Sequence, residues 1–296
     1  MNTAQLLQRQ SFVELSARAR VEQLLDTGTG RELLGPFERL TSPWLALQDI
    51  VAQSDDGVVI SRGQIDGVEV VMAAIEPAFQ GGSMGEVGGA KIAGALELAL
   101  EDAQAGVPII PVLLLETGGV RLQEANCGLA AIAEIHAAIV ALRTYVPVIG
   151  VISGPVGCFG GMSIAAGLCS QLIATREARL GLNGPQVIEQ EAGVGEFDSR
   201  DKPMIWSLLG GDQRHATGLI DTLCDDDAAL IRQAIVEILH APVLGLDTDL
   251  ARSSDTAAFE RLLGDIDPDE LADPVSVREA FSAMDQSTAD FKESSR

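Results

Sequence analysis

The sequence predicts an α/β fold built on buried parallel strands, and three observations predict it. Short, near-continuous apolar runs at 109–115, 148–153 and 171–175 alternate with longer segments of helical periodicity. The first two runs end in glycine-rich turns that lead into helices. The chain is 47% hydrophobic but only 4% aromatic, with 31 glycines, a composition suited to helices packed closely on a sheet.

Taken in order, residues 11–25 have helical spacing, with Val13, Ala17, Val21, Leu24 and Leu25 able to share a face. Gly28, Gly30, Gly35 and Pro36 then break the chain into loop. Val58-Val59-Ile60 and Val68-Glu69-Val70-Val71-Met72 flank Asp66-Gly67, which predicts a hairpin. A glycine-rich loop over 79–89 leads into a helix from Ala90 to about Ala103, with Ile92, Leu96 and Ala99 or Leu100 on one stripe. A strand at 109–115, a helix over 122–143, a strand at 148–153 and a helix over 161–167 follow. Short strands are expected at 171–175 and 178–181, and Pro185 can open a helix. A helix over 203–209 ends in Gly210-Gly211, and a last one spans 226–240. Periodicity does not separate a doubly wound sheet from a spiral of β-β-α units.

Residues 1–245 are expected to form one domain, and 246–296 an acidic extension that is either a solvated arm or a docking surface. The formal net charge of −23 makes nucleic acid and anionic membrane poor partners. Cys127, Cys158, Cys169 and Cys224 form no C-x-x-C pair, so neither a zinc ribbon nor a redox motif is indicated. With no signal peptide, the expected compartment is the reducing cytoplasm. The most apolar stretch, 128–156, is interrupted by Glu134, His136 and Arg143 and is not a membrane span.

The chemistry is concentrated in the glycine turns. Gly118-Gly119 follows one apolar run, and Gly160-Gly161-Met162 follows another. Bare backbone at a helix start presents unpaired N–H groups and a partial positive charge, which suit a developing oxyanion. For one such pair, tight packing is an equally good explanation; two pairs after a third glycine loop favour a ligand. Gly85 to Lys91 fails as a phosphate loop, because no glycine directly precedes the lysine. Ser153 and Ser163 lie outside G-x-S-x-G, and the three histidines cannot be tied to them. His136 reads as a packed helix residue, His240 as a helix C-terminal cation and His215 as a turn residue that can line a site. No His, Asp or Glu cluster has metal-ligand spacing. Arg121 is unexpected at a helix start, where a nearby anion would relieve the conflict.

Gly81-Gly82-Ser83-Met84-Gly85-Glu86, then Gly118-Gly119-Val120-Arg121-Leu122-Gln123-Glu124, then Gly154-Pro155 with Gly160-Gly161-Met162, resemble the signatures of acyl-CoA carboxyltransferase β-type domains. The resemblance covers about residues 11–242 and implies a crotonase-like spiral of β-β-α units. Within that family the chain is most similar to β subunits of biotin-independent malonate decarboxylase, since it lacks a zinc ribbon and a second crotonase-like domain. Glu116-Thr117 stands where Asp-Ser is usual, Val120 where Ala is usual, and Met162 where Ala is usual. The resemblance implies decarboxylation of malonyl-S-acyl carrier protein, with a CoA-like prosthetic group (phosphoribosyl-dephospho-CoA) on the carrier and a γ-type partner subunit. It implies an oxyanion site at Gly160, Gly161 and Met162. Gly118 and Gly119 would line the thioester pocket, with Arg121 and Gln123 in support and Gly82, Ser83 and Met84 beside them. No bound cofactor or metal is implied on this chain. The alternatives are a biotin-dependent carboxyltransferase β subunit and a non-catalytic scaffold for the carrier protein.

Overall fold

Strand order decides between the two α/β architectures. The computed structural model describes residues 9–241, 264 and 273–282. Its sheet has seven strands in sequential order: β1 (Arg31–Leu33), β2 (Val58–Ile65), β3 (Val68–Ile75), β4 (Ile110–Leu114), β5 (Ile149–Ile152), β6 (Gln171–Thr175) and β7 (Thr222–Cys224). β1, β2 and β3 pair antiparallel, and β3 through β7 pair parallel. A doubly wound sheet reverses its order at a switch point; this one advances in one direction, as a spiral does. The short links between units carry a second set of parallel bridges, Met84 with Val120, Thr117 with Cys158 and Cys158 with Leu180. Each unit therefore contributes to the main sheet and then to a small ladder beside it. The strand expected at 178–181 belongs to this ladder and forms bridges only.

β4 and β5 are buried at every position, as unbroken apolar runs require. α1 (Ala17–Leu24) packs on β2 and β3 and against α9 (Ala228–Leu239). α3 (Glu86–Gln104) packs on β2 to β4 and on α4 (Cys127–Leu142), which in turn packs on α5 (Gly161–Leu168). Shorter helices are α2 (Pro43–Ala46), α6 (Pro185–Ala192), α7 (Lys202–Leu209) and α8 (Gly211–Ala216). The helix expected over 122–143 is two pieces. Ala125, at φ 52° and ψ −124°, separates a 3-10 turn (Leu122–Glu124) from α4. Two residues of the acidic extension bond to α8: Gln213 Nε2 donates to Pro274 O (3.2 Å), and Arg278 donates to Gln213 Oε1 (2.9 Å). Among the described residues, no helix is long and apolar enough to cross a membrane.

The hairpin at Asp66-Gly67 forms as expected, with both residues at positive φ (50° and 78°). Asp26, just beyond α1, holds it. Its carboxylate accepts from the N–H of Gly67 (2.9 Å) and Asp66 (3.0 Å) and from Arg232 of α9 (2.6 Å). The Gly67 bond, then those from Asp66 and Arg232, keep its pKa below the usual aspartate value. A carboxylate so shifted stabilises the fold above its unfolded pKa of about 3.9, and that stability is lost as pH falls through the lower folded value. Asp26→Asn is thus expected to lower Tm at pH 7, with the gap to the parent closing as the pH is taken through the acid range. A gap that stays constant from neutral to strongly acidic pH contradicts this assignment.

Candidate active site

Three turns at the carboxyl ends of β3, β4 and β5 stack to form the site. Gly118 N–H donates to Gly81 O (2.9 Å), Met84 N–H to Gly119 O (2.7 Å) and Arg121 N–H to Met84 O (2.8 Å). On the other side, Thr117 N–H donates to Gly157 O (2.7 Å) and Phe159 N–H to Thr117 O (3.1 Å). The ladder brings the two glycine pairs together: a Cβ on Gly160 would lie 3.2 Å from Gly119 Cα and 3.8 Å from Val120 N. Gly160 has φ 62° and ψ −148°, a conformation that requires glycine.

The backbone polar groups around Gly160 are used unevenly. Gly160 N–H donates to Leu182 O (2.8 Å), so this residue shapes the turn and offers no donor. Gly160 O accepts from the N–H (3.0 Å) and hydroxyl (2.7 Å) of Ser163. Gly161 O lies 2.8 Å from His136 Nε2. The N–H groups of Gly161 and Met162, which open α5, have no partner among the described residues; nor has that of Val120. The arrangement gathers unpartnered donors at the positive end of a helix, beside a glycine turn with no side chain in the way. Gly118 is exposed and Gly119 buried.

Arg121 is 1% exposed, and its guanidinium meets Asp56 (2.7 Å) and Glu124 (3.0 Å), both fully buried. It also donates to Ser83 Oγ (3.2 Å) and Ser83 O (2.8 Å) and lies over the Phe79 ring, 5.0 Å from its centroid. The second oxygens of the two carboxylates accept from α3: Glu124 from Glu86 N–H (2.5 Å) and Asp56 from Gly88 N–H (2.7 Å). These are the anions that relieve the cation at a helix start. Burial, only partly offset by Arg121, holds the Asp56 carboxyl above the usual aspartate pKa. Gly82, Ser83 and Met84 thus lie in the turn that Arg121 grips, with the Met84 side chain fully buried. Gln123 is half-buried, its carbonyl accepting from Gln48 Nε2.

The turn after β5 is anchored separately. Phe159 packs with Phe197, Ile205 and Leu209 in a small second core. Arg179 lies over the Phe159 and Trp206 rings (5.4 and 4.8 Å) and donates to Pro155 O (2.8 Å).

The remaining candidates lie elsewhere. Lys91 points inward, donating to Asp55 O (2.9 Å) and to Val58 O; burial lowers its pKa. His215 is exposed on α8, with Nδ1 3.1 Å from Ile220 O, and His240 pairs with Asp66 at 2.9 Å. His136 is half-buried and bonded at the site's edge, where its helical apolar context had suggested packing alone. Nothing in the sequence pattern marked Asp56, the unpartnered N–H of Val120 or the bond of His136, while Glu124 was visible beside Arg121 but not as its buried partner.

A spiral of β-β-α units whose glycine turns meet at a helix start is the architecture expected of carboxyltransferase-type α/β proteins. A family model of the carboxyl transferase domain matches residues 11–296, and the chain belongs to that family. It is 38% identical over 252 residues to the malonyl-S-ACP:biotin-protein carboxyltransferase of Malonomonas rubra, covering 82% of this chain and 79% of that protein. A chain of a Pseudomonas malonate decarboxylase hetero-tetramer, solved in complex with malonate, is 59% identical with a TM-score of 0.88, covering 94% of this chain and 100% of that one. A chain of a Pseudomonas malonate decarboxylase hetero-dimer is 55% identical with a TM-score of 0.72, covering 88% and 99%.

Arg121→Met would leave Asp56 and Glu124 buried without their cation. Breaking a buried ion pair from one side typically costs about 3–5 kcal/mol, and a loss of that size is expected in urea unfolding. An unchanged midpoint would show that the guanidinium does not tie the turns.

Proposed function

We propose that this chain is the decarboxylating β-type subunit of a malonate decarboxylase. With a γ-type partner it converts malonyl-S-acyl carrier protein to acetyl-S-acyl carrier protein and CO2 in the cytoplasm. The observation that carries the reading is the pair of unpartnered N–H groups on Gly161 and Met162, directly after the Gly160 turn that faces Gly119. Support comes from the malonate decarboxylase chains it resembles, solved as a hetero-dimer and a hetero-tetramer. The carrier's CoA-like arm belongs to the substrate, and its thioester would approach over Gly118, which is exposed and has no side chain to obstruct it.

In the reaction the bond between the malonyl carboxylate and its α-carbon breaks. The electron pair moves toward the thioester carbonyl, CO2 leaves, and the enolate takes a proton at the α-carbon. The N–H groups of Gly161 and Met162 bind the enolate oxygen better than the starting carbonyl, because the oxygen gains charge. They are fixed before the reaction by the α5 start and by Gly160. Gly119 leaves room for the thioester, while Arg121, Gln123, Gly82, Ser83 and Met84 set the position of that turn.

A second reading, biotin-dependent carboxyl transfer, is favoured by the biotin protein named for the Malonomonas relative. The assay that separates the two measures CO2 and acetyl thioester from malonyl carrier protein with the partner present. Turnover is expected to survive both avidin and a strong chelator. Abolition by avidin would move the chain to the biotin-dependent enzymes. Abolition by chelator, restored by a divalent cation, would reveal a metal requirement. No turnover under any condition would leave the scaffold reading.

Gly160→Ala drives a methyl toward Gly119, and Gly161→Val drives its side chain into Ile132 of α4, where even a Cβ would lie 2.8 Å from Cγ2. Each shifts the Gly161 and Met162 N–H groups and is expected to cut turnover by on the order of a hundred-fold, the size of effect that follows the loss of one oxyanion donor. Gly167→Ala, on the same helix and facing open space, is expected to leave turnover intact. Normal rates in folded Gly160 and Gly161 variants would refute the oxyanion assignment.

A further inference from the structure

Decarboxylation as proposed above leaves His136 without a role, although it touches the peptide that matters most. We propose that His136 is a positioning residue for this reaction: its Nε2–H, donated to Gly161 O, fixes and polarises the peptide whose other end is the Met162 N–H. The inference rests on the assignment of that N–H to the enolate oxygen.

The Nε2 to oxygen distance is 2.8 Å. A carbonyl can only accept, so Nε2 carries the hydrogen. The Gly161 carbonyl and the Met162 N–H belong to one planar amide, so holding one end sets the direction of the other. Donation into the carbonyl oxygen also shifts amide electrons toward it and makes the N–H a stronger donor, as in any hydrogen-bonded chain. The grip comes from a second helix. His136 lies one turn beyond Ile132 on α4, and Ile132 packs against Gly161 itself. The neighbouring carbonyl of Gly160 is held from within its own turn by Ser163. Both carbonyls that could let this peptide pair rock are therefore tied, while the two N–H groups between and beyond them stay unpartnered.

The test uses the partnered enzyme and steady-state kinetics with malonyl carrier protein. His136→Leu removes the donor, and kcat is expected to fall about ten-fold, the order of one hydrogen bond, with KM nearly unchanged. His136→Gln places an amide N–H near the Nε2 position and is expected to recover most of the rate. His136→Asn, too short to reach, is expected to behave like the leucine variant and is read in its place should that variant fail to assemble. Melting temperatures are measured for all three. An unchanged kcat in His136→Leu or His136→Asn overturns the proposal, and so does a loss that tracks Tm and is not rescued by glutamine. If Gly161→Val is slow while His136→Leu is normal, only the role of His136 fails. If both are normal, the oxyanion assignment fails with it.

Discussion

The N-terminus of α3 is the point on which the site depends. A nineteen-residue helix opens there with no capping side chain of its own, because its N-cap is Gly85. Its unpaired N–H groups and partial positive charge need acceptors. Asp56 and Glu124 supply them from two separate loops, and Arg121 balances the surplus negative charge from a position between the carboxylates. Gly85 must lack a side chain, since a Cβ would lie 2.5 Å from Arg121 Nη1 and 2.6 Å from Glu124 Oε2. Buried charges are tolerable only when nearly every donor and acceptor is satisfied, and here the hydrogen bonds to Ser83, Glu86 and Gly88 complete the set. The turns after β3 and β4 are consequently tied to one another.

A second buried pair extends that rigidity to the turn after β5. Arg20 of α1 meets Glu116 at 2.5 Å and also donates to Phe12 O and Val13 O. Glu116 Oε1 accepts from Val156 N–H at 3.3 Å, and Gly154 lacks a side chain because the Glu116 carboxylate fills that space. The three glycine turns are thus braced by Arg121 on one side and Glu116 on the other, with Phe159 seated in its own apolar cluster. Donors fixed in this way need no reorganisation as charge develops, which is where electrostatic stabilisation is most effective.

Much of this was legible in the chain. The Asp66-Gly67 hairpin, the buried runs that became β4, β5 and β6, and the helix opened by Pro185 follow from local rules. The glycine turns were visible as turns, but that Gly119 faces Gly160 depends on the ladder between units. Helix α3 begins at Glu86, four residues before the periodicity starts, because its caps come from remote carboxylates. β1 and β7 escaped notice because three-residue edge strands, one of them Arg-Glu-Leu, carry no apolar alternation. Strand order was open to periodicity alone; the family resemblance supplied the spiral. Lys91 shows the limit most clearly, since its acceptors, Asp55 O and Val58 O, are distant in sequence.

The proposed reaction stands or falls on an enolate oxygen held by the N–H groups that open α5. The direct measurement is a structure of the partnered enzyme with a malonyl thioester analogue whose carboxylate is replaced by a sulfonate that cannot leave. The thioester oxygen is expected at about 2.7–3.1 Å from Gly161 N or Met162 N, the range of an oxyanion donor. A thioester oxygen turned away from both and bound by other groups would contradict it.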